Sequence, residues 1–531
     1  MSKFLRQFGL FLKRNQTILL LLSIFTFLLH GDKLFSTNSG IDTEKIIFEN
    51  EELYESWLGI GRQGLVLLKW ALGQLRYNPY FAAILTLVFL VTGVAVLGFL
   101  FEYVQKASIP RGAFFLFGAI LISHPILTEQ LYFSLQGAEV SLAFILCAGS
   151  LLFAHRFAIR RLLAGRNRVE SITSFVCSVL LLFPTLGVYQ AFAPLYLFGI
   201  LALGCLHAPD ASGGRIPSVR YEIRYLLKLC SIFLTGFLLN QGITMLFFSN
   251  SNYLRQQVQW DFTQIGVGVK RILSHVRDVA LGNGVFYFQT FLWLALVLFA
   301  LRIRHGRRQL REGRWTFGIF CWRLVLLLGL YASPFFLTVL LGERPVIRGQ
   351  LVLPFTMGFM TYLSVLLAKD VFADKKRWIP GGIVLFGLLT VWQEADISSR
   401  LYYTDAVRYQ EDLWLAGNLK QDIARFTNTC DYHGAVVFVG KRKAPGNCAT
   451  ITGDVMGQSL FAWDTQVEPE NFWSSSRIIG FMHCMGTNYQ EPTKEQTVLA
   501  TKLAKEMPCY PAEGSIAWQE DIVVVKLSGQ Q

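Results

Sequence analysis

Charged residues are scarce in this chain, making up 16% of its 531 residues against about 25% in globular proteins. An ordinary soluble globule is excluded, because 53% of positions are hydrophobic and gather in long runs. Strict alternation over segments of about ten residues is missing, which excludes a lipid-embedded β-barrel. The chain has no Gly-x-x-x-x-Gly-Lys-Ser/Thr phosphate loop, no His-Glu-x-x-His and no Cys-x-x-Cys, so chemistry that depends on those motifs is set aside. It also lacks internal repeats and low-complexity segments. The net charge of +13 suits nucleic acid in the abstract. Here, however, the basic residues cluster in short loops between apolar runs, the pattern of membrane orientation signals, and no nucleic-acid partner is expected.

What the chain has in abundance is apolar runs near the roughly 20 residues that a spanning helix needs. Lys3, Arg6, Lys13 and Arg14 precede the first run, about Thr17 to Leu29. No small-residue cleavage site follows, so this reads as an uncleaved first span with a cytoplasmic N-terminus. Arg62 to Tyr77 reads as an amphipathic interfacial helix. Further spans are predicted at 79–103, 112–131, 136–155, 171–187, 188–207, 225–248, 284–302, 318–341, 351–369 and 378–395, about eleven in all. The Pro184–Pro194 junction also fits one broken helix. The loops at 105–111, 155–168, 208–224, 302–314 and 369–377 then fall inside, and they hold every strongly basic cluster, as the positive-inside rule requires.

The expected fold class is a polytopic α-helical membrane protein, residues 1–396, with a small C-terminal extracytoplasmic α/β domain, 397–531. In that domain Tyr409–Phe426 has helical spacing, and Ala435–Gly440 and Ile522–Leu527 read as buried strands. Its four cysteines, Cys430, Cys448, Cys484 and Cys509, permit two disulfides in any of three pairings, or free thiols.

Chemistry is sought on the predicted outer face. The first outside loop, 31–61, carries Asp42, Glu44, Glu49, Glu51, Glu52 and Glu55. In an extended segment Asp42 and Glu44 project to one side; at a helix start Asp42 is a natural N-cap. Either acid, packed near the membrane face, is a candidate base for a sugar hydroxyl, the bland alternative being a solvated loop. Glu49, Glu51, Glu52 and Glu55 read as a solvated helix face. Outer-face arginines are few, and Arg62, Arg344 and Arg348 are the candidates for holding a phosphate; snorkelling, or a pair with Glu343, is the alternative for the last two. In or next to the Ser123–Gln136 turn, Glu129, Gln130 and Glu139 are candidate sugar contacts, with helix-end bonding the alternative, and His124 reads as structural. Tyr132, Tyr253, Trp260 and Tyr287 fit an interfacial belt better than a stacking surface.

A first span is followed by an outside loop with Asp42-Thr43-Glu44. Gly59-Ile60-Gly61-Arg62-Gln63-Gly64 then leads into an amphipathic helix, many spans and an extracytoplasmic tail. This layout resembles the type II Gtr glucosyltransferases, serotype-converting membrane enzymes of the GT-C type. The resemblance implies transfer of glucose from undecaprenyl-phosphate-glucose to a lipid-linked O-antigen sugar of lipopolysaccharide, at the periplasmic face of a bacterial inner membrane. It implies no fixed cofactor. GT-C enzymes often pair two acids in this loop, which leaves a divalent cation open, although the second acid here is Glu44 rather than Asp. An aminoarabinose or mannosyl transferase shares the layout; a lipid-sugar flippase or polysaccharide transporter is the competing class.

Overall fold

The computed structural model describes residues 2–36, 38–163, 168–207, 218–248, 258–261, 263–372, 378–462 and 473–529. It is mostly helical. Among the described residues, seven helices are long and apolar enough to cross a membrane: Phe4–His30, Pro79–Gln105, Ser134–Ile159, Val169–Leu186, Val219–Phe247, Phe317–Leu341 and Val352–Val371. An eighth crossing would come from Arg111–Ser123 and Pro125–Tyr132, which bend by 50° at His124. Pro125 is the cause, since a proline disfavours helical geometry in the residue before it.

The predicted span at 188–207 is a shorter apolar helix, Phe192–Leu206, separate from Arg168–Leu186. The one at 284–302 lies in Thr290–Arg311, whose second half carries Arg302, Arg304, Arg307, Arg308 and Arg311. The one at 378–395 opens a 50-residue helix, Trp378–Thr427, which also contains the predicted helix at 409–426. No proline or glycine stands between Asp396 and Tyr409 to end it. The interfacial helix is shorter than expected, Gln63–Ala71, with Leu65 and Leu68 buried and Leu67 and Trp70 exposed. Parts of the predicted inside loops (164–167, 208–217, 373–377) and Tyr253 lie outside the described residues.

The chain divides into two compact units. One comprises 1–34, 54–131 and 136–398; the other comprises 35–53, 132–135 and 399–531. In the helical unit, close packing depends on small residues, as it does between apolar helices generally. A Cβ at Gly64 would lie 2.1 Å from the Pro184 carbonyl oxygen, and the Leu65 N–H donates to the Gly187 oxygen at 3.0 Å. The turn after Leu186 is therefore locked to the helix that follows Arg62.

The tail unit is built on a three-stranded sheet: β1 Val436–Val439, β2 Ile516–Gln519 and β3 Ile522–Lys526, in the order β1-β3-β2. Strands β1 and β3 run parallel with Val436 opposite Val523, while β2 and β3 form an antiparallel hairpin. Val437, Val439, Ile522 and Val524 pack with Ala500, Ala504 and Met507 as the core. All nine cysteines are free thiols, so packing holds this unit together without disulfides.

The first loop joins the tail unit through Arg408, which is 1% exposed. Its guanidinium donates to the Ser39 carbonyl at 3.0 Å, the Tyr132 hydroxyl at 2.6 Å and the Asp405 carboxylate, and also pairs with Asp412. Both terminal nitrogens of this buried cation are bonded, to two carboxylates and two neutral oxygens, and only Nε lacks a partner, which is close to the condition under which such burial is tolerated.

Candidate active site

Asp42 sits at the N-terminus of the helix Thr43–Phe48 in the left-handed region, φ 66° and ψ −4°, with no side-chain cap bond. A non-glycine residue held there is sparsely populated and strained. The conformation turns its carboxylate away from the helix end and toward Arg477, which donates Nη1–H to Oδ1 at 3.1 Å. The same Nη1 lies 3.7 Å from Glu44 Oε1, and that oxygen accepts the Asp42 backbone N–H at 3.2 Å. One guanidinium thus bridges both acids.

The two acids differ in access. The Asp42 side chain is 33% exposed and the Glu44 side chain 3%. Burial pushes the Glu44 carboxyl up to about 7, the neighbouring Asp42 charge adds to the rise, and Arg477 opposes it. Glu44 Oε2 is buried with no hydrogen bond, as suits a carboxyl held close to neutral. Arg477 comes from the helix Trp473–Cys484. Gly480 of that helix makes room for Glu44, since a Cβ there would lie 2.7 Å from Glu44 Cγ. His483, one turn further on, meets Phe48 edge to face at 5.8 Å. Glu51, Glu52 and Glu55 face solvent on the helix Asn50–Gly59, as expected, and Glu49 is half-buried.

The other charged and amide candidates lie in the helical unit. Glu139 forms an ion pair with Lys69 at 3.1 Å, both side chains being 1% exposed. The Lys69 ammonium lies about 6 Å from the ring centres of Trp57 and Tyr77. Glu129 and Gln130 are fully buried in the helix Pro125–Tyr132, and both polar atoms of the Gln130 amide lack a hydrogen bond. Beside them the helix break is tied down by Ser123 donating to Glu394 at 2.7 Å and by Thr128 donating to Ser398 at 2.9 Å. Burial at these positions comes from helix packing, and an open sugar-facing surface is not what they form here.

Arg62 stacks on Tyr189, 5.1 Å from its ring centre. Arg344 pairs with Asp278 and lies over Tyr287, while Glu343 pairs with Arg271 at 3.4 Å, so the alternative of a Glu343–Arg344 pair gives way to these two. Arg348 lies half-buried in the short turn Ile347–Gly349. His275 accounts for the loop's fixed shape. It bonds Thr338 at 2.8 Å and Gln350 at 3.1 Å, Tyr287 donates to the same Gln350 oxygen at 2.9 Å, and the Gln350 amide donates to the Pro345 carbonyl at 2.8 Å. Burial, with Arg344 nearby, lowers the His275 pKa to about 4 and keeps it neutral. The aromatic candidates are similarly engaged. The Trp260 indole donates to the Val339 carbonyl at 2.9 Å, and Tyr287 and Tyr132 are buried.

Sequence reasoning placed Asp42 and Glu44 together but missed Arg477, which lies more than 430 positions away and carries no motif. A divalent cation does not fit this pair, because the Arg477 guanidinium already stands between the carboxylates. Among the described residues no three His, Cys, Asp or Glu side chains gather to hold a metal.

Neither a curated protein nor a solved structure matches the chain. A family model described as glucosyl transferase GtrII does match, over residues 33–367. That span begins within the acidic loop, ahead of Asp42, takes in Arg62, Glu139, Arg344 and Arg348, and covers more than half of the sequence. The chain belongs to the GtrII glucosyltransferase family.

Proposed function

We propose that the protein transfers glucose from a polyprenyl-phosphate carrier, undecaprenyl-phosphate-glucose, to a lipid-linked O-antigen saccharide at the periplasmic face of the inner membrane. Such transfer would convert the serotype of the lipopolysaccharide. Family membership supports glucose over aminoarabinose or mannose, and a transferase over a flippase or exporter. The observation that carries the reading is Asp42, the member of the acid pair that reaches solvent. In the proposed step the acceptor hydroxyl gives its proton to the Asp42 carboxylate while its oxygen bonds to the anomeric carbon. The bond from that carbon to the phosphate oxygen breaks, and its electron pair leaves with the prenyl phosphate. Direct displacement on a β-linked donor yields an α-linked product. Arg62, Arg344 and Arg348 are the proposed partners of the phosphate, since guanidinium matches its geometry and offsets the charge that develops on it.

The test is turnover of prenyl-phosphate-glucose and O-antigen by the purified protein in detergent. Loss of a general base costs about 10²–10⁴-fold in rate. Asp42→Asn is expected to fall by that amount, while Glu52→Gln, on the solvated face, keeps full activity. Unchanged turnover in Asp42→Asn removes the base and the reading with it.

A further inference from the structure

We infer that Arg477, which lies beyond the family-matched region, is a positioning residue for the transfer: it clamps one oxygen of Asp42 and leaves the other aimed at the acceptor. The inference rests on the proposed role of Asp42. It extends the site to the helix Trp473–Cys484, so the C-terminal sequence supplies part of the reaction machinery as well as any contact with the acceptor glycan.

Three observations converge on this. The guanidinium engages Oδ1 of Asp42 at 3.1 Å, and Oδ2 has no protein hydrogen bond among the described residues. A carboxylate fixed through one oxygen can no longer rotate freely, so the lone pairs of its second oxygen point in a defined direction. Positioning of this kind is a large part of what enzymes contribute to such steps.

Second, the clamp is built. Arg477 has a side chain only 14% exposed, and its helix carries Gly480 one turn later, where any side chain would strike Glu44. Third, the Asp42 backbone is strained and its N–H is tied to Glu44. A surface ion pair that merely joined two segments would need none of this, and such pairs contribute little. The ionisable groups recorded against the acid pair are Arg477 and, on the same tail helix, Cys484. The His483 ring is committed to the Tyr489 carbonyl at 2.7 Å. Burial pushes the Cys484 thiol up to about 11, so it stays neutral near pH 7.

The experiment compares Arg477→Gln, Arg477→Lys and Gly480→Ala in the full-length protein, with thermal unfolding in detergent as the control for folding. A displaced base costs on the order of 10²-fold. Arg477→Gln is expected to lower kcat by about that factor while leaving KM for the prenyl-phosphate donor within about twofold. Arg477→Lys keeps the charge and restores part of the activity. Gly480→Ala, which leaves Arg477 in place but displaces Glu44, should fall between wild type and Arg477→Gln. A folded Arg477→Gln with wild-type kcat overturns the inference; so does a loss that only tracks the fraction unfolded. If Asp42→Asn is dead while Arg477→Gln is active, the transferase reading stands and only the clamp falls.

Discussion

Two acid–base clusters in this molecule use similar residues to opposite ends. In the helical unit Lys69 and Glu139 meet one to one, and each is almost fully buried. In the tail unit a single Arg477 is divided between Asp42 and Glu44, with one acid reaching solvent and the other not. A matched, dehydrated pair has no charge left over for chemistry, and its value is that neither partner can be removed alone. A cation shared by two carboxylates is unmatched by construction. One acid must sit near its protonated form, and Glu44 does. The difference separates an ion pair that fixes a fold from one that is poised to exchange a proton.

The largest effect is expected at Lys69. Substitution by methionine leaves Glu139 charged and alone in an apolar setting, and breaking a buried pair in this way costs about 3–5 kcal/mol. Lys69→Met should therefore lower the unfolding midpoint in detergent severely, with activity lost in proportion to folded protein. The double variant Lys69→Met, Glu139→Leu should recover most of that stability, since both charges leave together. Recovery of stability without recovery of turnover would instead place Glu139 in the reaction, as its position near the predicted outer turn first suggested.

The reach of the sequence follows the same division. Apolar runs and basic loops report burial in lipid, which depends on local composition, so most of the long helices were legible within a few residues. The acids Asp42 and Glu44 were legible because they are dense in a chain poor in charge. Two valine-rich strands were legible for the same reason, while Ile516–Gln519 was not, its hairpin turning at Glu520 in a positive-φ conformation with no glycine to announce it. The partner of the acids was out of reach. Arg477 is one of 49 basic residues, and only the folded tail brings its helix to the first loop. Glu129, Gln130 and Glu139 meet a related limit: an acid or amide at the end of a span looks alike in sequence whether it faces a cavity or a neighbouring helix. Lys69, which neutralises Glu139, lies 70 positions earlier.

At Glu44 the expected effect is smaller and comes through pH. Its carboxyl titrates near 7 in the fold against an ordinary value of 4.5. Between those values the folded protein holds a proton that the unfolded chain has released, so stability falls as pH rises from about 4.5 to about 7 and is level above that. The loss is on the order of 3 kcal/mol, at 1.36 kcal/mol per unit of displacement. Glu44→Gln removes the titration while keeping the shape of the side chain. The difference in stability between wild type and Glu44→Gln should shift in the variant's favour across that window and hold constant above pH 8. A flat difference would mean that Arg477 holds Glu44 as a full carboxylate, and the shared cluster would then be two ordinary ion pairs, no different in kind from Lys69 and Glu139.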